Sequence, residues 1–145
     1  MIGLLQRVNG ASVHIDAEPV AEIKRGLLVL VGVQKGDETA QADRLLERLL
    51  GYRVFNDEAG RMNLSLRDIQ GGLLLVPQFT LAADTKKGMR PGFSGAAEPR
   101  LGERLFSHMA EQALVQHQPV ACGVFGADMQ VALINDGPVT FWLET

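Results

Sequence analysis

Residues 27–33, Leu-Leu-Val-Leu-Val-Gly-Val, carry no polar side chain. A continuous leucine and β-branched run fits a strand covered on both faces, so the fold around it must supply apolar layers above and below. Residues 71–81, Gly-Gly-Leu-Leu-Leu-Val-Pro-Gln-Phe-Thr-Leu, read as another buried strand, entered through two glycines. Between the runs the period changes. Ala42, Leu45, Leu46, Leu49 and Leu50 recur at three and four residues, one apolar stripe of a helix of about three turns, with Asp37 or Thr39 as candidate cap.

The flanking segments fill out the pattern. Residues 12–16, Ser-Val-His-Ile-Asp, alternate as a half-buried strand does, with turn signals at Asn9-Gly10 before and Ala17-Glu18-Pro19 after. Pro99 opens a second helix as its first residue, Leu101, Leu105, Met109 and Ala113 mark its buried face, and Pro119 stops it. Three strands are expected to close the chain, around 120–124, 128–135 and 138–144. Helices set among mostly hairpin-connected strands give an α/β fold of the mixed α+β kind, with mixed sheets and two main helices on one side. With 145 residues, one domain over 1–145 is expected.

Composition removes several functions. Hydrophobic residues make up 46%, charged residues 21%, and the formal net charge is −3, so no global basic field advertises nucleic acid; an RNA partner would be gripped locally. The single Cys122 lies in an apolar stretch and reads as a small buried hydrophobe in a reducing compartment. The amino-terminal apolar stretch is too short for a secretory leader and no run reaches membrane-spanning length, so a cytoplasmic location is expected. His14, His108 and His117 are scattered without ligand spacing, and no metal or cofactor is expected. Gly26, Gly32 and Gly36 lack the Lys-Ser/Thr of a phosphate loop. The Gly92-Phe93-Ser94-Gly95 stretch has its second glycine one place early for a nucleophile elbow.

Two segments hold polar groups that an apolar core would not select. Gln78 and Thr80 end the second buried run, where Pro77 removes a ladder donor and holds Val76 extended. They either alternate outward from a strand end or mark a strand end whose polar groups and free N–H groups meet a ligand. Asn135-Asp136-Gly137-Pro138 reads, alone, as a tight hairpin turn whose proline opens the last strand, although a Gly-Pro bond also admits the cis form. Residues 82–98 form a long polar, glycine-rich loop of the kind that is often functional.

Together these segments resemble the D-aminoacyl-tRNA deacylases. The likeness runs over essentially the whole chain, through QRVNGASVHID, GLLVLVGV, FNDEAGRMNLS, QFTLAADTKKGMRPGFS and GVFGADMQVALINDGPVT. Its signatures are Ser-Gln-Phe-Thr and Asn-x-Gly-Pro-Val-Thr, weak singly and specific in combination. One position departs: Pro77 stands where the family usually has serine.

The resemblance implies a layered fold of two strands, two βα units and three further strands, and a homodimer with active sites at the subunit interface. It implies a cis Gly137-Pro138 bond that reaches into the partner's pocket. There its carbonyls would hold the substrate's α-ammonium and leave no room for an L side chain. It further implies that Arg7 braces this motif and that Phe125 and Met129 line an adenosine pocket. The reaction would be hydrolysis of the ester between a D-amino acid, or mischarged glycine, and the 3′ ribose of tRNA. Gln78, Phe79 and Thr80 carry the catalytic assignment. The N–H groups of Phe79 and Thr80 are suited to an oxyanion, worth about 3–4 kcal/mol per donor. A nucleophilic Thr80 lacks a base in its motif, and the substrate's 2′-OH can assist instead. Lys86, Lys87 and Arg90 either contact tRNA phosphate or belong to a merely solvated polar loop. Two rivals stand beside this reading: editing of another mischarged aminoacyl-tRNA, such as L-alanine with Gly137-Pro138 in trans, and a non-catalytic nucleic-acid-binding dimer on the same fold.

Overall fold

A computed structural model describes residues 1–145. In chain order its elements are β1 (Ile2–Ile15), β2 (Glu18–Ile23), β3 (Gly26–Gly32), α1 (Thr39–Gly51), β4 (Phe55–Asn56), β5 (Met62–Leu64), the single turn α2 (Leu66–Ile69), β6 (Gly72–Pro77), a 3-10 turn (Phe79–Ala82), α3 (Pro99–Gln116), β7 (Val120–Cys122) and β8 (Gln130–Glu144).

The two buried runs are β3 and β6, paired in parallel from Gly26 opposite Gly72 to Val31 opposite Pro77. Parallel strands need a crossover, which α1 supplies; α3 supplies the next, from β6 to its parallel neighbour β7. The strands begin in glycine for a steric reason. A Cβ on Gly26 would stand 1.9 Å from the Gly72 carbonyl oxygen.

β1 organises the rest. Its first half pairs β3, its second half pairs β2, and its other edge pairs β8 from Ile2 opposite Glu144 to His14 opposite Gln130. The sheet therefore runs β2-β1-β3-β6-β7 with β8 against β1, and the small β4-β5 pair lies apart.

One face carries α1 and α3 over Leu5, Leu27, Val29, Leu73 and Leu75. Each buried leucine of the α1 stripe contributes roughly 2 kcal/mol. The opposite face packs Val8, Val13, Ile23, Leu28, Leu74 and Val76 under the curl of β2 and the start of β8. No helix is long and apolar enough to cross a membrane.

Several expected boundaries differ. Asn9-Gly10 is no turn: both residues lie inside β1, where the ladder to β8 is irregular. The reversal into β2 falls instead at Asp16 and Ala17, with φ of 49° and 67°, the left-handed pair a two-residue hairpin needs. Helix α1 is capped by Glu38, whose N–H donates to Gln41 Oε1 at 3.0 Å, while Asp37 accepts the Gln34 N–H at 2.6 Å. Pro99 does open α3 as its first residue.

The largest difference is at the carboxyl end. Residues 130–144 form one strand, not two strands joined by a hairpin. The Asp-Gly-Pro signal is local, but β1 pairs on both sides of it and keeps the strand running through.

Candidate active site

The end of β6 is where the sheet stops serving itself. The Gln78 N–H makes a last bond to the Val31 carbonyl at 2.7 Å. Pro77, next to it, has no N–H to offer β7. Its ring instead stands near Gly123, where an added Cβ would come 3.4 Å from Pro77 Cδ and 2.9 Å from Met129 Sδ.

Beyond Gln78 the chain tightens into the 3-10 turn. The Leu81 N–H returns to the Gln78 carbonyl at 3.2 Å and the Ala83 N–H to the Thr80 carbonyl at 3.1 Å. The first N–H groups of such a turn have no partner within it. Those of Phe79 and Thr80 find none elsewhere in the chain.

These groups border a cavity of about 490 Å³ at the seam between the two cores. Val31, Val33 and Phe106 belong to the helix-side core and line one part; Val76, Met129 and Val131 belong to the opposite core and line another. Pro77 at the end of β6, with Gln78 and Phe79 after it, forms the floor, and Phe125 and Met129 come from the segment before β8. Phe125 is set by α3, since a Cβ on Gly102 would meet its ring at 3.3 Å. The Gln78 amide donates to the Thr80 hydroxyl at 2.6 Å. Neither a histidine nor a carboxylate is hydrogen-bonded to that hydroxyl.

The residues expected at the site thus divide into two groups. Gln78, Phe79, Phe125 and Met129 line one cavity, with Thr80 adjoining. Arg7, Gly137 and Pro138 lie elsewhere: none of the three lines the cavity, although Val131 at the start of β8 does.

At that second place the β1–β8 ladder passes from Gln6 opposite Thr140 to Val8 opposite Asn135, so Asp136, Gly137, Pro138 and Val139 stand against Arg7 alone. The result is a wide bulge. Arg7 is only 8% exposed. Its Nε donates to the Asp136 carbonyl at 2.9 Å and its Nη1 to the Val54 carbonyl at 2.7 Å. Gly137 has φ of 143°, and an added Cβ would crowd Val139 Cγ2 at 2.6 Å and Arg7 Nη2 at 3.2 Å. The Gly137-Pro138 bond is cis. Both residues are exposed, so the bulge points its tip outward.

Some cavity residues escaped the sequence reading. Asp128, an exposed carboxylate at the rim, together with Ala97, Pro99 and Gly102, lines the space. Asp128 sits one residue before Met129, and that adjacency was the only signal available. Elsewhere, Asp84 and Gly92 exchange main-chain bonds of 2.7 and 3.0 Å and close a loop that presents Lys86, Lys87 and Arg90 to solvent. Phe93 follows that loop and packs on Phe79, ring centroids 5.2 Å apart. Burial pushes the Cys122 thiol up, which suits a packing role. His117 is buried against the Gly71 carbonyl at 2.7 Å and His108 meets Asp43 at 2.7 Å, and neither lines the cavity.

Comparison with known proteins gives one consistent result. Residues 4–144 match the family described as D-Tyr-tRNA(Tyr) deacylase. A D-aminoacyl-tRNA deacylase of Thioalkalivibrio sulfidiphilus is 67% identical over 99% of this chain and 97% of its own length. One from Pseudomonas putida is 63% identical, covering 99% of each. Among solved structures, the c-Myc DNA Unwinding Element Binding Protein superposes with a TM-score of 0.95 at 37% identity over 100% of this chain and 99% of that one. A probable eukaryotic D-amino acid tRNA deacylase shares the fold, with a TM-score of 0.84 at 16% identity over 99% and 98% of the two chains.

Proposed function

The chain belongs to the D-Tyr-tRNA(Tyr) deacylase family, and from that premise we propose that it hydrolyses the ester joining a D-amino acid to the 3′ ribose of tRNA, releasing both. The observation that carries the site assignment is the pair of unspent N–H groups at Phe79 and Thr80, beside a cavity walled by Phe125 and Met129. An aminoacyl ester is already reactive, so hydrolysis requires chiefly a polarised carbonyl and a positioned water. Donors aimed at the developing oxyanion supply the first. The apolar cavity, with three aromatic rings and one thioether, suits the terminal adenosine. The Thr80 hydroxyl accepts a bond from Gln78 and has no base, which favours a main-chain role for Thr80 over a nucleophilic one.

The working unit in this reading is a homodimer of one-domain, cytoplasmic subunits, with no cofactor. Gly137 and Pro138 are exposed and do not line their own cavity, a placement that favours service to a partner's cavity. Their carbonyl oxygens would hold the α-ammonium, and their bulk would exclude an L side chain while admitting a D residue or glycine. Arg7 braces the bulge from beneath. Lys86, Lys87 and Arg90 meet the phosphates of the acceptor end.

Incubation of the pure protein with D-tyrosyl-tRNA and L-tyrosyl-tRNA tests the reading. Release of tyrosine from the D form alone is the expected result. Release from neither, with tRNA still bound, would favour a binding protein, the role suggested by the DNA-binding name of the structural relative at 37% identity.

A further inference from the structure

The bulge in β8 removes the main chain of Asp136–Val139 from the ladder, so the polar groups there need other partners. Two side chains meet part of that need, at the entry and the exit. Arg7 takes the Asp136 carbonyl at the entry. Asn135, the last residue paired before the bulge, takes both main-chain groups of Val139 at the exit. The Val139 N–H donates to Asn135 Oδ1 at 2.7 Å, and Asn135 Nδ2 donates back to the Val139 carbonyl at 3.3 Å. The same amide nitrogen reaches Thr140 Oγ1 at 2.9 Å and Gln6 Oε1 at 3.4 Å, tying the exit to the resumed ladder between Gln6 and Thr140.

Proline has no N–H at 138, and no side chain bonds the carbonyl of Gly137 or Pro138. The Asp136 carbonyl and both main-chain groups of Val139 are therefore held by side chains, while no side chain takes the two tip oxygens.

We infer that Asn135 is a positioning residue for substrate discrimination: its amide closes the bulge as a clasp, fixing the direction of the Gly137 and Pro138 carbonyls without touching the substrate. The inference rests on the proposed role of those carbonyls. The chemistry needs an amide at this position. One acceptor faces an N–H, and one nitrogen with two hydrogens faces three oxygens. A carboxylate of the same shape would keep the Val139 N–H bond but set a negative oxygen against the Val139 carbonyl, which can only accept. A methyl group would keep neither side. In both cases the bulge remains tethered at its entry by Arg7, while its exit is released in the alanine variant and loses the bond to the Val139 carbonyl in the aspartate one.

The test compares wild type with Asn135→Ala and Asn135→Asp. It measures kcat/KM on D- and L-tyrosyl-tRNA separately, with melting temperature as the check on folding. A residue that only supports the fold would lower both rates together by reducing the active fraction. The positioning role changes their ratio. The expected result is a D/L ratio reduced about tenfold or more in both variants, through a higher KM on the D substrate and measurable turnover of the L substrate. Should Asn135→Ala fold poorly, Asn135→Asp, close to isosteric, carries the same expectation. Wild-type discrimination with unchanged ratios in folded variants would overturn the clasp and leave the proposed function standing. Absence of discrimination in the wild type would overturn both.

Discussion

At the end of β6 the chain leaves donors unspent; at the bulge of β8 it leaves acceptors unspent. The N–H groups of Phe79 and Thr80 are free because a 3-10 turn begins there, so their geometry is dictated by main chain. The carbonyls of Gly137 and Pro138 are free because Arg7 and Asn135 take the flanking groups, so their geometry is dictated by side chains. The first region is concave and apolar, and the second projects to solvent. One set suits an oxyanion developing from an ester, the other suits an ammonium. A substrate carrying both, an aminoacyl ester, needs the two regions together, and in a single chain Gly137 and Pro138 stand outside the lining of the cavity.

Substitutions that act on one mechanism and not the other can break this contrast. The largest effect is expected at Phe79→Pro. Proline fits the first position of the turn yet has no N–H, so kcat should fall about 10²–10³-fold. Phe79→Ala keeps the N–H and should cost far less; equal losses in the two variants would remove the main-chain donor from the account.

Next comes Arg7→Ala, which strips the Asp136 and Val54 carbonyls of a buried charged donor. Stability measured by denaturant should fall by about 3 kcal/mol. Arg7→Lys should restore little, because an ammonium cannot span the two carbonyls as the guanidinium fork does.

Phe125→Ala acts on binding. KM should rise about tenfold, the scale of one lost base–aromatic stack, with kcat nearly unchanged. Thr80→Ala keeps the main-chain N–H and removes only the hydroxyl that Gln78 holds, so a small decrease in kcat is expected. Complete inactivation would restore a nucleophilic threonine. Pro77→Ser should have the smallest effect, since no polar group of the floor depends on residue 77.

The sequence showed the first region more clearly than the second. The unbroken apolar runs fixed β3 and β6, the i, i+3, i+4 stripe fixed α1, and Pro99 fixed the start of α3, because each depends on neighbours close along the chain. Pro77 likewise marked where pairing stops. The bulge was misread as a hairpin for the opposite reason. Asp136-Gly137-Pro138 has turn chemistry, and what overrides it is β1, more than 100 residues away, which pairs both before and after the interruption. The clasp was invisible on the same ground. Asn135 also fits the first position of an ordinary turn, and only the pairing of Val8 with Asn135 and Gln6 with Thr140 shows what its amide closes. Asp128 and Gly102 were missed because cavity walls are assembled from segments that no local pattern links.

Complementation tests the composite site most directly. Phe79→Pro lacks the donor half and Gly137→Ala distorts the acceptor half, since any Cβ at 137 crowds Val139 and Arg7. Each variant alone should be nearly inactive on D-tyrosyl-tRNA. Refolded together at equal amounts, half of the dimers should be mixed, and each of those should hold one site with both halves intact, so about one quarter of wild-type activity should return. No recovery in a sample where native mass spectrometry detects mixed dimers would contradict the claim that one subunit completes the other's site.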